Sequence, residues 1–174
     1  MYINIQVKNR MGGANMYPIP WYAIILIGLP SNFLTISIGA RLFNINISIQ
    51  KRVIISIIIG ILLYFTRHLT IPGLNSIALI ISTALLLRII SRLTLWKAFL
   101  TIVLGFVVLA IIETLCNSII FSLFHLNFGI LAARPWINIL SFLPTIAVAS
   151  LLYWLISRKN VILYNLSQYE DHAK

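Results

Sequence analysis

AFLTIVLGFVVLAIIETLCN, residues 98–117, carries a single charge, Glu113, toward the far end of an otherwise apolar run. A bilayer core about 30 Å thick takes about twenty such residues as one helix, so this stretch reads as a transmembrane span. Further apolar runs lie on both sides of it. They cover about Ile19–Ala40, Val53–Thr66 and Leu74–Leu87 before it and Trp136–Ser157 after it. The central run stays apolar to about Leu126, too long for one uninterrupted span. Its span is therefore ended near Asn117, and Ser118–Phe128 is read as an interfacial or partly re-entrant segment. A sixth span in that stretch is the rival reading.

The composition agrees. Apolar residues make up 60% of the chain and charged residues 9%, with a mean hydropathy of +1.00, against about 25% charged in soluble domains. With 174 residues, the chain has room for one helical bundle and no separate catalytic domain. The expected layout is a polar N-terminal segment, residues 1–17, a bundle, residues 18–159, and a polar cytoplasmic tail, residues 160–174. The first twenty residues lack the apolar core and cleavage pattern of a signal peptide. Met11 and Met16 are alternative starts. A net charge of +10 would suggest nucleic acid in a soluble protein. Here the bases form short clusters between apolar runs and are read as loop anchors on anionic lipid, with no nucleic-acid partner. Cys116 is the only cysteine, so neither an internal disulfide nor a multi-cysteine metal cluster can form.

Counting bases by side gives the orientation. Arg41, Lys51, Arg52, Arg88, Arg92, Lys97, Arg158, Lys159 and Lys174 fall on one side, against Lys8, Arg10, Arg67 and Arg134 on the other. An excess of bases marks the cytoplasmic face, which places the N-terminus outside and the C-terminus inside. The fold class expected is thus all-α: a polytopic transmembrane helical bundle of five spans in the cell membrane, with six as the rival count. The second and third spans are short and read as a tight hairpin around Pro72-Gly73. In Phe43–Gln50 and Leu93–Lys97 apolar and polar residues alternate, as in an extended segment with one apolar side. Sliding the chain by 46 residues lays Ile47–Lys51 over Leu93–Lys97, which suggests a duplicated two-span unit followed by a final span.

Glu113 is the only carboxylate before the C-terminal tail. A charge within a span costs about 2.5–3.5 kcal/mol on insertion scales, so it should face the bundle and either have a partner or bind a proton. Arg67 and His68 end the second span near the same depth and are the expected partners. Small or polar residues recur at helical spacing in Gly28, Asn32, Thr35 and Gly39; in Ser56, Gly60, Tyr64 and Arg67; and in Glu113, Cys116 and Asn117. Such seams let helix backbones approach in lipid, and a ligand groove is the functional alternative. Pro30 should loosen the first helix. The candidate ligand-binding residues are Glu113, Arg67, His68 and Asn32. No catalytic residue, metal site or cofactor is expected. Cys116 and His125 raise a membrane cysteine endopeptidase, but nine residues is not a same-face spacing, and both fall on the outer side.

Trp21–Pro30, the alternating loop ending Gln50-Lys-Arg52, the hairpin Thr70-Ile-Pro-Gly73 and the Phe142-Leu-Pro144 span followed by Arg158-Lys159 resemble the membrane-sensor halves of some Firmicute histidine kinases. These are of the sporulation-phosphotransferase and quorum-sensing type, and the resemblance covers about Met16 to Lys159. It implies a cytoplasmic C-terminus and a membrane module. The sequence ends at Lys174 without the phosphorylatable-histidine helix and ATPase of that family, so kinase activity is not carried over. The function expected is a non-enzymatic sensor-like or accessory module that binds a peptide or hydrophobic signal. Its partners would be the lipid bilayer, a histidine kinase or other membrane protein, or a second copy of itself. The alternative is a small substrate-binding subunit of a transporter, similar to the capture components of energy-coupling-factor importers. Those present alanines four residues apart to their coupling partner, and no two alanines here have that spacing.

Overall fold

The computed structural model describes residues 22, 24–66, 74–124 and 135–166, and the regular structure among them is entirely helical. Helix α1, Leu29–Leu42, is led in by a π-helical turn, Ile24–Gly28. It is followed by α2, Ile49–Thr66; α3, Leu74–Ser91; α4, Leu95–Phe124; and α5, Pro135–Lys159. Three stretches are long and apolar enough to cross a membrane: Ile25–Leu42, Leu95–Leu123 and Ile139–Lys159.

The local chemistry explains several boundaries. Proline lacks an N–H and collides with the carbonyl four residues back, and the wide turn just before Pro30 relieves that collision. The loosening expected of Pro30 therefore takes the form of a π turn and not of a break. At the other end of α1, Asn44 has φ of 55°. Its N–H donates to the Arg41 carbonyl at 3.1 Å, and the Ile45 N–H donates to Ala40 at 2.8 Å. This is the paired bonding of a Schellman cap. Asn160 after α5 is also left-handed, with φ of 48°, and the Val161 N–H closes the same long bond to Ile156 at 3.1 Å.

The third left-handed residue is Arg92, with φ of 56°, where a side chain costs about 1–2 kcal/mol that glycine avoids. Arg92→Gly is expected to raise stability by about 1 kcal/mol, read as a higher thermal unfolding midpoint. A lowered midpoint would show that the arginine side chain contributes more than its backbone costs.

Ser48 and Thr94 stand immediately before α2 and α4, and their carbonyls accept the first helical bonds, from Arg52 at 3.2 Å and Ala98 at 3.0 Å. They occupy N-cap positions, where Ser and Thr are favoured. The two helix starts, Ile49 and Leu95, keep the 46-residue offset seen in the sequence, whereas the preceding helix ends, Leu42 and Ser91, do not. The extended reading of these loops needs correction. The backbone is non-helical only from Ile45 to Ser48 and is already helical at Ile49, although the alternation runs on to Gln50, and residues 95–97 open α4. The fourth run also differs from expectation, since α4 continues through Asn117 and Ser118 to Phe124. One polar amide and one hydroxyl do not interrupt thirty residues of helix whose other members are mostly apolar. At 1.5 Å per residue α4 is about 45 Å long, enough for a core and both interfaces.

Helix α1 is the centre of the bundle and packs most extensively on α4. On one side Ile36 and Ala40 join Ile47, Ile55, Ile59, Leu87, Ala98 and Ile102 in a first core. On the other, Leu34, Ile38 and Leu42 join Leu109, Ile112, Ala149 and Ile156 in a second. Outward faces are apolar as well: Ile57, Ile61, Ile89, Val107, Ile111, Leu115, Ile119 and Leu151 are exposed. The inside holds Asn32, Thr35, Ser37, Ser56, Thr83, Thr101 and Thr145. Polar groups facing inward and a continuous apolar surface facing outward suit a lipid environment, where a soluble monomer would avoid so large an apolar area.

The α1–α4 crossing is set by two reciprocal close approaches. A Cβ added at Gly39 would collide with the Thr101 carbonyl, and one added at Gly105 would collide with the Thr35 carbonyl. Thr35-x3-Gly39 on α1 thus meets Thr101-x3-Gly105 running the opposite way on α4. The sequence reading singled out the first pair and missed the second, although the spacing is the same.

Candidate functional site

One turn beyond this crossing the helices part around a cavity of about 80 Å³. Ser31, Asn32 and Thr35 of α1 line it, with Leu79 and Thr83 of α3 and with Ile102, Phe106, Leu109, Ala110 and Glu113 of α4. The α4 members fall on one helical face, and Glu113 lies eight residues past Gly105, about 12 Å along the axis. Two candidate residues, Asn32 and Glu113, therefore share one cavity although they are far apart in the chain. Asn32 is only 9% exposed, and neither side chain hydrogen-bonds to another described residue. The other two candidates, Arg67 and His68, and with them the expected pairing to Glu113, lie outside the described residues.

Two of the three hydroxyls on the cavity wall are committed to their own helices. Thr35 Oγ1 donates to the Ser31 carbonyl at 2.9 Å, and Thr83 Oγ1 to the Leu79 carbonyl at 2.6 Å. Ser31 and Thr83 were not anticipated as wall residues. The available signal was the interruption of an apolar run by Ser82-Thr83, which periodicity cannot assign to a face when nearly every neighbour is Ile or Leu.

A second polar centre sits at the end of the bundle where α1 stops and α2 starts. Arg52 Nε donates to the Ile47 carbonyl at 3.0 Å, and its Nη1 donates to Ser37 Oγ and to Tyr153 OH, each at 3.0 Å. Its guanidinium also lies 5.8 Å from the Phe33 ring centroid. One side chain thereby joins α1, α2 and α5. Nearby, Arg41 Nη2 donates to the Ser157 carbonyl at 3.2 Å and to Asn160 Oδ1 at 3.1 Å. Residues 160–166, expected to begin a polar tail, instead fold against this end. Leu163 N–H and Tyr164 N–H donate to the Leu42 carbonyl and Leu166 N–H to Phe43, satisfying carbonyls that a helix end leaves free.

The aromatic residues mark both ends. Tyr22 and Trp136 stack at 5.1 Å, while at the basic end Arg158 lies 5.1 Å from the Trp154 ring centroid. Cys116 packs on the second core, and its proposed partner His125 lies outside the described residues. No group of three His, Cys, Asp or Glu side chains that could hold a metal occurs among the described residues. Comparison of the chain with family models, with curated proteins and with solved structures gives no match. What the chain shows by itself is an all-helical protein with three helices able to cross a membrane and a polar cavity between α1, α3 and α4.

Proposed function

We propose that this chain is a multi-pass protein of the cell membrane, with α1 to α5 as five spans, the N-terminus outside and the C-terminus cytoplasmic. It acts without catalysis, as a sensor-like or accessory signalling module that takes its signal at the α1–α3–α4 cavity. The observation that carries the reading is the meeting of Asn32 and Glu113, two polar groups without partners among the described residues, at one cavity. Polar groups in a membrane interior are costly, and a bound group would offset that cost. Helices α2 and α3, eighteen residues each, reach about 27 Å, close to a hydrocarbon core. The basic end, with Arg41, Arg52, Lys97 and Arg158 and no acidic residue described there, suits the cytoplasmic leaflet. A cavity of this size takes one small group, so a peptide signal would enter by a terminus or a single side chain.

The test has two parts. An activity reporter fused after Lys174 should report a cytoplasmic location and one after Leu126 an external location. An external C-terminus would discard the orientation and favour the transport-subunit reading. Native mass spectrometry of the full chain taken from its own membranes should show an organic adduct that Glu113→Gln or Asn32→Ala loses. An adduct that both variants retain would remove the cavity from the proposal. Co-purification with a kinase favours the signalling reading, and co-purification with ATPases favours transport.

A further inference from the structure

The hydrogen inventory of the cavity wall restricts what can bind there. Each threonine hydroxyl has one hydrogen, and those of Thr35 and Thr83 are spent on the Ser31 and Leu79 carbonyls. Toward the cavity they can offer only lone pairs. The Glu113 carboxylate is likewise an acceptor when ionised, while Asn32 can present either its amide oxygen or its NH2, and the Ser31 hydroxyl can accept or donate. The remaining wall, formed by Leu79, Ile102, Phe106, Leu109 and Ala110, is apolar. No Lys, Arg or His among the described residues lines it. The wall thus combines several oxygen acceptors with one carboxyl group, negative when ionised, and its hydrogen donors are confined to the Ser31 hydroxyl and the Asn32 amide nitrogen.

From this wall we infer that the Asn32–Glu113 cavity binds a single small monovalent cation: a free ion such as sodium, or a primary ammonium group. This deepens the proposed function and rests on its reading of the cavity as the ligand site. Oxygen donors of this kind suit hard cations and disfavour soft metals. One carboxylate balances one positive charge, whereas a divalent ion would leave an uncompensated charge against Phe106 and Leu109. The volume of about 80 Å³ equals a few waters at about 30 Å³ each. That admits a sodium ion with a water, or an ammonium group with its first carbon, and excludes quaternary amines with bulky substituents. Asn32 supplies the second polar group of the site: it is 9% exposed and hydrogen-bonds to no other described residue.

The experiment is thermal unfolding of the full chain in lipid nanodiscs, followed by tryptophan fluorescence. Sodium, ammonium or methylammonium chloride is varied from 1 to 100 mM, and N-methylglucamine chloride holds ionic strength constant. A ligand of the folded state raises the midpoint with concentration, here by about 5 °C across the range. Glu113→Gln and Asn32→Ala should flatten the response, while Thr114→Ala, at an exposed position of the same helix, should keep it. A response to sodium alone supports a free inorganic ion. A response to ammonium and methylammonium without sodium supports an amine end carried by a larger molecule. Equal midpoints in every salt would overturn the inference, as would a Glu113→Gln variant that responds like the parent. If an organic adduct depends on Glu113 but no cation shifts the midpoint, the cavity remains a ligand site and the cation assignment fails. If cations shift the midpoint but no adduct or signalling partner is found, the cation site stands and the signalling reading fails.

Discussion

Gly105→Leu is expected to prevent formation of a stable bundle, and Gly105→Ala to destabilise it by about 2 kcal/mol. The expectation for alanine runs against helix propensity, which favours it over glycine by about 1 kcal/mol. The reason is the group the new Cβ would meet: the Thr35 carbonyl oxygen, a backbone atom that cannot swing aside as a side chain can. Only separation of α1 from α4 would relieve the collision, and these helices supply members to both cores. Gly39 faces Thr101 in the same way, so Gly39→Ala should cost a similar amount. The double variant should cost less than the sum, because one separation accommodates both methyl groups. Unfolding in mixed detergent would measure all three, with Val107→Leu on the outer face as a neutral comparison. Full additivity would mean that the two contacts yield independently and would contradict a shared crossing.

Arg52→Met should cost about 3 kcal/mol. Hydrogen bonds to a charged donor contribute about 1.5–3 kcal/mol each, and truncation leaves the acceptors in an enclosed site without their donor. Ser37, 1% exposed, has little access to water as a substitute. Arg52→Lys should recover less than half of the loss, since one ammonium on a flexible stem cannot reproduce the fork that reaches Ile47, Ser37 and Tyr153 together. Tyr153→Phe, which removes one of those acceptors, should cost about 1 kcal/mol. The unfolding midpoints of the four proteins test this order. If Arg52→Lys matched the parent, the residue would be acting as a point charge near lipid and not as a connector of three helices.

The helical class and the approximate places of the helices were readable because apolar runs of this length have few alternatives. The ends were less readable, for a consistent reason. Charges look like span boundaries in the sequence, yet α2 starts at Ile49, before Lys51 and Arg52, and α3 runs past Arg88 to Ser91. Long basic side chains remain helical at a membrane edge by extending their heads toward water. Glu113 and Asn32 were visible as isolated polar groups within apolar runs. Thr83, Ser31 and the Thr101-x3-Gly105 partner were not, because a helix apolar on all sides gives little contrast between its faces. In the sequence Arg52 reads only as a topological charge. Its role as a connector depends on Tyr153, about a hundred residues away, which no local pattern announces.

The reciprocal glycine crossing also has a consequence for how the chain is made. α1 leaves the ribosome before α4, whose surface covering Thr35 and Gly39 follows only after residues 43–94. At about 5–20 residues per second, that interval lasts about 3 to 10 seconds. During it Asn32, Thr35, Ser37 and Gly39, all buried in the finished bundle, must be sheltered by lipid, by the insertion machinery or by a transient neighbour. The most intimate contact of the mature protein is therefore among the later ones to form. On the membrane reading, the period of greatest vulnerability falls during biogenesis, when a polar-faced α1 waits for a partner not yet synthesised.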